Sequence, residues 1–283
     1  MTATARPPTR VDLLNDLALA EALATMAGFA RLSNDEVRAM RARRRRALGS
    51  AGALALVFAI GLGRWWDGSG AITWHYQTAR GQQLAVALVD GTRIRLNGAT
   101  SLDVTFAPAQ RHVTLAQGEA YFDVAHDAKR PFAVEIGGVT ARVLGTAFDL
   151  ERTNGQVELG VYRGAVRFAD TASPSSGVVV RAGWRSRYRD GTVGSPTRFD
   201  PAQQDWRQGW LDTEGMRLGD LVDALNRGGG PLVVAPPSAL AALPIGGRFK
   251  LDDPGQLLAA IGAAYGFSVV PEGDRLRLRA ISD

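Results

Sequence analysis

Apolar residues occupy every second position through much of this chain. From Trp74 onward they run Leu84, Val86 and Leu88, then Ile94 and Leu96, then Leu102, Val104 and Phe106, with Asp90-Gly91 and Asn97-Gly98 between the runs. Side chains two apart share one face of a strand, and Asp-Gly or Asn-Gly supplies the positive-φ residues of a tight hairpin turn. The same spacing continues in Val113 and Leu115, Phe122 and Val124, Phe132 to Ile136, Val139 to Val143, Val157 to Val161, Val166 and Phe168, and Val178 and Val180. About ten short strands with no helix predict an all-β sandwich, roll or solenoid-like stack over residues 74–195. Pro131 falls where a strand begins and no ladder donor is lost, and Leu144-Gly145-Thr146 marks a bulge or corner.

The period then changes. Turn formers from Gly194 to Trp206 interrupt the alternation, and beyond them Leu218, Leu221, Val222 and Leu225 fall at helical spacing up to the Gly228-Gly229-Gly230 run. Strands are predicted at Gly209 to Asp212, at Leu232 to Val234 and near Gly246 to Leu251. Asp253 caps a second helix with Pro254 at its first position, Gly266 closes it, and Phe267 to Val270 with Leu276 to Arg279 form a hairpin. The order βαβ-βαββ predicts a small α+β domain over 206–283, two helices on one face of a sheet.

Upstream, Ala47 to Gly63 carries no ionisable side chain and is followed by Arg64, Trp65 and Trp66. Counted through Trp66 this run spans roughly 30 Å at 1.5 Å per residue, which predicts a membrane helix over 47–66. Arg43, Arg44, Arg45 and Arg46 before it, and Trp65 and Trp66 after it, set the topology: the N-terminus in the cytoplasm and the bulk of the chain outside. The late start and the lack of an A-x-A site favour a retained anchor, and a twin-arginine export signal stays open beside it. Residues 1–46 form a short cytoplasmic helical segment, with Leu13, Leu14, Leu17 and Leu23 on one helix and a capping box from Ser33 to Glu36 opening another.

Composition narrows the chemistry. The 283 residues include no cysteine, which removes disulfides, thiolate metal sites and a cysteine nucleophile. His75, His112 and His126 lack the spacing of a metal site. The formal charge of +5 is local: without Arg41 and Arg43 to Arg46 it falls to zero, so direct nucleic-acid binding is not expected. Glu119, Asp123 and Asp127 stand four apart in a stretch whose alternation is that of a strand and not of a helix, and the stretch from Gly118 to Ala120 reads as turn and core. No lysine follows the Gly228 run, and no G-x-S-x-G, H-E-x-x-H or Walker pattern occurs, so neither catalysis nor a cofactor is expected.

Four stretches carry a resemblance. DGTRIRLNGATSLDV (Asp90 to Val104), VTLAQGEAYFDVAHDAKRPFAV (Val113 to Val134), VLGTAFDL (Val143 to Leu150) and VYRGAVRF (Val161 to Phe168) resemble, in this order, the FecR family of inner-membrane signal transducers, which are anti-sigma regulators and sensors. The tail from Trp206 is similar to the short domain shared by secretins and the signalling extensions of TonB-dependent receptors. The resemblance implies a relay in which the signalling domain of a TonB-dependent, ferric-siderophore-type receptor contacts the periplasmic part and the cytoplasmic segment controls an extracytoplasmic-function sigma factor. On that reading Leu13, Leu14 and Leu17 meet the sigma factor. An edge strand at Leu232, Val233 and Val234, or at Arg248, Phe249 and Lys250, meets the receptor by backbone pairing. The family's cytoplasmic domain is usually longer and contains tryptophan, whereas about forty residues without one precede the run here. The alternative is therefore a membrane-anchored periplasmic protein-interaction module without sigma-factor control.

Overall fold

The computed structural model describes residues 71–203 and 205–281. The predicted cytoplasmic helices, the run Ala47 to Gly63 and its flanks Arg43 to Arg46, Trp65 and Trp66 lie outside the described residues. Among the described residues no helix is long and apolar enough to cross a membrane.

The alternating region folds into one 14-stranded sheet bent over on itself. Its strands are β1 (Ile72–Gln77), β2 (Leu84–Ala87), β3 (Arg93–Leu96), β4 (Ser101–Ala107), β5 (Gln110–Asp123), β6 (Phe132–Ile136) and β7 (Val139–Val143). They continue with β8 (Ala147–Arg152), β9 (Val157–Arg163), β10 (Ala165–Asp170), β11 (Val178–Arg181), β12 (Trp184–Arg189), β13 (Thr192–Val193) and β14 (Thr197–Arg198). The long β5 belongs to both layers. Its first half lies between β4 and β6, its second half between β3 and β8. Gly118 makes the corner, with φ +92° and Thr100 packed so close that a Cβ would lie 2.3 Å from its hydroxyl. Only glycine fits both demands.

Alternation now decides what faces inward. Val113, Leu115, Phe132, Val134, Ala141 and Phe168 of the first layer meet Ile94, Leu96, Phe122, Phe148, Leu150 and Leu159 of the second in one core. Phe122 and Phe148 stack at 5.0 Å between centroids. Each fully buried Val, Leu, Ile or Phe contributes about 1.5–3 kcal/mol, and this shared core holds the layers together.

A 3₁₀ turn, Trp206–Gln208, leads into the second lobe. It contains β15 (Trp210–Asp212), β16 (Met216–Arg217), helix α1 (Leu218–Arg227), β17 (Leu232–Val233), a short helix α2 (Ser238–Ala241), β18 (Pro244–Ile245), β19 (Arg248–Lys250), helix α3 (Pro254–Tyr265), β20 (Phe267–Glu272) and β21 (Arg275–Ala280). Asp253 caps α3 by accepting the Gln256 N–H at 3.0 Å, and Gly266 ends it with φ +78°. The expectation of a single sheet needs correcting. Three small sheets form, β15 with β19, β16 with β18, and β17-β21-β20, because α2 and two-residue strands fold the central segment back on itself. Leu218, Leu221, Val222 and Leu225 of α1 join Leu258, Ile261, Phe267 and Leu278 in a second core.

Candidate functional site: the seam between the lobes

On the face of β5, β8, β9 and β12 turned away from the first core, four charged residues stand directly opposite one another. Glu119 pairs with Glu151, Glu151 with Glu158, and Glu158 with Arg187. Three like charges in a cross-strand row repel, so the row needs compensation from elsewhere. The second lobe supplies it. Arg227, the last residue of α1, is 5% exposed and bonds Glu151, with its Nε 3.4 Å from Glu119. Asn97 adds a hydrogen bond to Glu119 at 2.7 Å. Arg187 bonds Glu158 at 2.5 Å, and Arg185, stacked 5.5 Å from the Phe199 ring, reaches Asp212 of β15 at 2.5 Å.

The helix that delivers Arg227 is fixed at both ends. Near its start, Asp220 accepts from Thr153 at 2.7 Å and from Arg189 at 2.6 Å, and Asp223 accepts the Asn154 backbone N–H at 2.8 Å. At its end, the Gly81 N–H donates to the Arg227 carbonyl at 2.8 Å while Arg80 donates to Asn226 O at 2.7 Å and Gly230 O at 3.0 Å. These bonds satisfy carbonyls that a helix terminus leaves without partners and place a cation at the negative end of its dipole. Gly98 permits the approach, since a Cβ there would lie 2.1 Å from the Arg227 oxygen.

The linker closes the side of the seam. Trp206 donates its indole N–H to Asp149 at 2.9 Å, Tyr162 donates to Asp205 at 2.7 Å, and Arg207 lies 3.8 Å from the Tyr121 ring centroid. Between these groups is a cavity of about 90 Å³ lined by Asp149, Glu158, Tyr162, Phe199, Trp206 and Trp210 among others. That volume is below the roughly 300 Å³ at which small-molecule pockets begin. Among the described residues no group of His, Cys, Asp or Glu is placed to hold a metal ion.

Burial shapes the electrostatics. Desolvation raises Glu119 and pushes Glu151 to about 8, each partly offset by Arg227. Asp149 is raised well above the ordinary value, first by burial and then by Glu119. Desolvation also raises Asp223. The carboxyl of Asp205 is held below its usual range, its bonds from Arg207 and Tyr162 outweighing burial.

The residues singled out as partner contacts do not converge. Val233 is buried in β17, whose Leu232 and Val233 pair in parallel with β21, while the Val234 N–H donates to Leu276 O at 2.8 Å. The Asn226 amide bonds both the N–H and the carbonyl of Val233 at 2.8 Å. Arg248, Phe249 and Lys250 lie in β19 against β15, with Arg248 4.7 Å from the Trp210 ring, Phe249 packed on the second core and Lys250 paired with Asp252. Leu13, Leu14 and Leu17 lie outside the described residues. Glu119, Asp123 and Asp127 pair with Arg227, Arg163 and Arg130 respectively.

Sequence reasoning missed Glu151, Glu158, Asp149 and Arg227. One signal was present: besides its apolar stripe, α1 carries Asp220, Asp223 and Arg227 at helical spacing, a second face that is polar and covered.

Residues 75–167 match the model of the family described as FecR protein. No curated protein matches the chain. Two crystal structures from Parabacteroides distasonis ATCC 8503, each provisionally described as an anti-sigma factor, share the fold. One has a TM-score of 0.65 at 23% identity, covering 74% of this chain and 99% of its own. The other has a TM-score of 0.66 at 22% identity, covering 75% and 100%.

Proposed function

Because this chain carries a FecR-family domain at residues 75–167, we propose that it regulates a sigma factor, as a single-pass inner-membrane transducer whose outer portion responds to a partner. The observation that carries this reading is the FecR domain lying directly after the arginine-flanked, uncharged run Ala47 to Gly63. A run of that length and charge asymmetry suits one crossing with the N-terminus in the cytoplasm. The provisional anti-sigma description of both similar structures supports the regulatory role.

In this reading the second lobe is a short-domain-like module that receives the signalling domain of a TonB-dependent, ferric-siderophore-type receptor. Backbone pairing at Leu232 to Val234 requires the Asn226 amide to leave the edge that it occupies at Val233. The strand Arg248 to Lys250 offers the other contact. Residues 1–46, through Leu13, Leu14 and Leu17, hold the extracytoplasmic-function sigma factor.

Residues 1–46 used as bait should retain such a sigma factor from the same cells, and retention should fall when Leu13, Leu14 and Leu17 are changed to Asp. Repeated failure beside a working control would favour the second reading, an anchored interaction module without sigma-factor control.

A further inference from the structure

We infer that the glutamate row of β5, β8 and β9, together with Arg227, forms a proton-dependent latch that sets how firmly the second lobe sits on the first. The geometry is an imbalance of charge in an enclosed seam. Glu119, Glu151 and Asp149 come from neighbouring strands, and one guanidinium, that of Arg227, is inserted between the two glutamates. Asp149 is bonded by the neutral Trp206 indole. Glu158 is served from its own sheet by Arg187 at 2.5 Å and Arg185 at 3.6 Å. A largely buried site with more carboxylates than cations is relieved by protons, or by opening further to water.

The groups facing the row come from every neighbouring element. Tyr121 is on β5, Tyr162 on β9, and Arg185 and Arg187 on β12. Asp200, Asp205 and Arg207 lie on the linker, Asp220 and Asp223 on α1, Asp212 on β15, Arg248 on β19 and Arg189 on β12. Arg207 is committed to Asp205, and Arg185 to Asp212. Neither is therefore a ready counter-charge for Glu151.

Closing the seam raises the Glu151 carboxyl from its ordinary range to about 8, and Glu119 and Asp149 move the same way. Opening the seam returns them to water. The closed form therefore holds more protons between the ordinary carboxyl range and about 8. Its stability is fully present at the acid side of that window and is lost as pH rises through it. One proton contributes up to about tenfold per pH unit to the opening equilibrium. The latch stands independently of the sigma-factor reading, because it needs no partner to operate.

Hydrogen exchange on the full chain, corrected for the intrinsic pH dependence of exchange, tests this directly. Two amides bridge the seam, Gly81 N–H to Arg227 and Asn154 N–H to Asp223. Two others report on single lobes, Leu88 N–H to Thr92 and Gly266 N–H to Gly262. Protection at Gly81 and Asn154 should fall at least about tenfold between roughly pH 6 and 8.5, with Leu88 and Gly266 unchanged. Glu151→Gln, which keeps the shape and removes the titration, should flatten that dependence to within about twofold. Glu119→Gln serves the same purpose if Glu151→Gln lowers protection at Leu88 or Gly266, the sign of a folding defect. Seam amides whose protection is the same across the range in the unmodified chain, or a full slope persisting in both folded variants, would overturn the latch.

Discussion

Arg111 points into the first core from the start of β5, and its side chain is wholly enclosed. It is tolerated there because its donors are spent. Nη1 bonds Asp90 at 2.8 Å and Ala125 O at 2.9 Å, Nε bonds Arg130 O at 2.9 Å, and the guanidinium sits 5.5 Å from the Phe132 centroid. One side chain thus ties the Asp90 turn to the loop before β6. Arg111→Met should lower the stability of the full chain by about 3–5 kcal/mol in urea denaturation, since Asp90 is left buried without its counter-charge. Arg111→Lys should recover little, because a point charge cannot serve the same spread of acceptors. A loss under about 1 kcal/mol for Arg111→Met would mean that the pair is not what holds the turn. At this scale the sequence discloses orientation and hides partners. Strand parity alone turns Arg111 inward. That Glu119 would meet Arg227 depends on a contact between segments far apart in the chain, which no local period encodes.

Elements were more legible than residues where turn chemistry punctuates them. Asp-Gly and Asn-Gly preceded β3 and β4, Asp253-Pro254 opened α3, and Gly228 ended α1, all from local rules. The failures were short strands. Two-residue pieces such as β16 and β18 carry too few positions to show a period, and their pairing divides what looked like one sheet into three. The corner in β5 was likewise invisible as a change of layer, although the glycine that makes it was in plain view. Gly118→Ala should cost about 3 kcal/mol or more, roughly 1–3 for the left-handed backbone and the rest from the collision with Thr100. Ser or Thr at this position should be no better tolerated, whereas Ala at Gly273, where an added Cβ meets nothing within 4 Å, should show only its backbone cost. Equal destabilisation at both sites, measured by thermal unfolding, would remove the special role of the corner.

Across the whole molecule the two lobes have separate apolar cores, and polar and ionic contacts along the seam join them. Two cores without a shared apolar boundary can melt apart, whereas a buried ion pair spanning the boundary makes them melt together. The full chain should therefore show one calorimetric transition for residues 71–281 near neutral pH. Arg227→Met should split it, because losing the buried guanidinium weakens the seam by about 3–5 kcal/mol and leaves each core intact. At about 0.7 kcal/mol per residue, the lower endotherm should carry about 50 kcal/mol, the share of the second lobe, and the upper one about 90 kcal/mol, the share of the β lobe. The split should narrow toward acid pH, where Glu119 and Glu151 take up protons and no longer need the missing cation. A variant that melts lower yet still in a single transition would place the coupling elsewhere. Remaining bridges such as Arg80 to the end of α1, Asp223 to Asn154, Asp220 to Thr153 and Arg189, and Asp212 to Arg185 would then be the contacts that keep the lobes together.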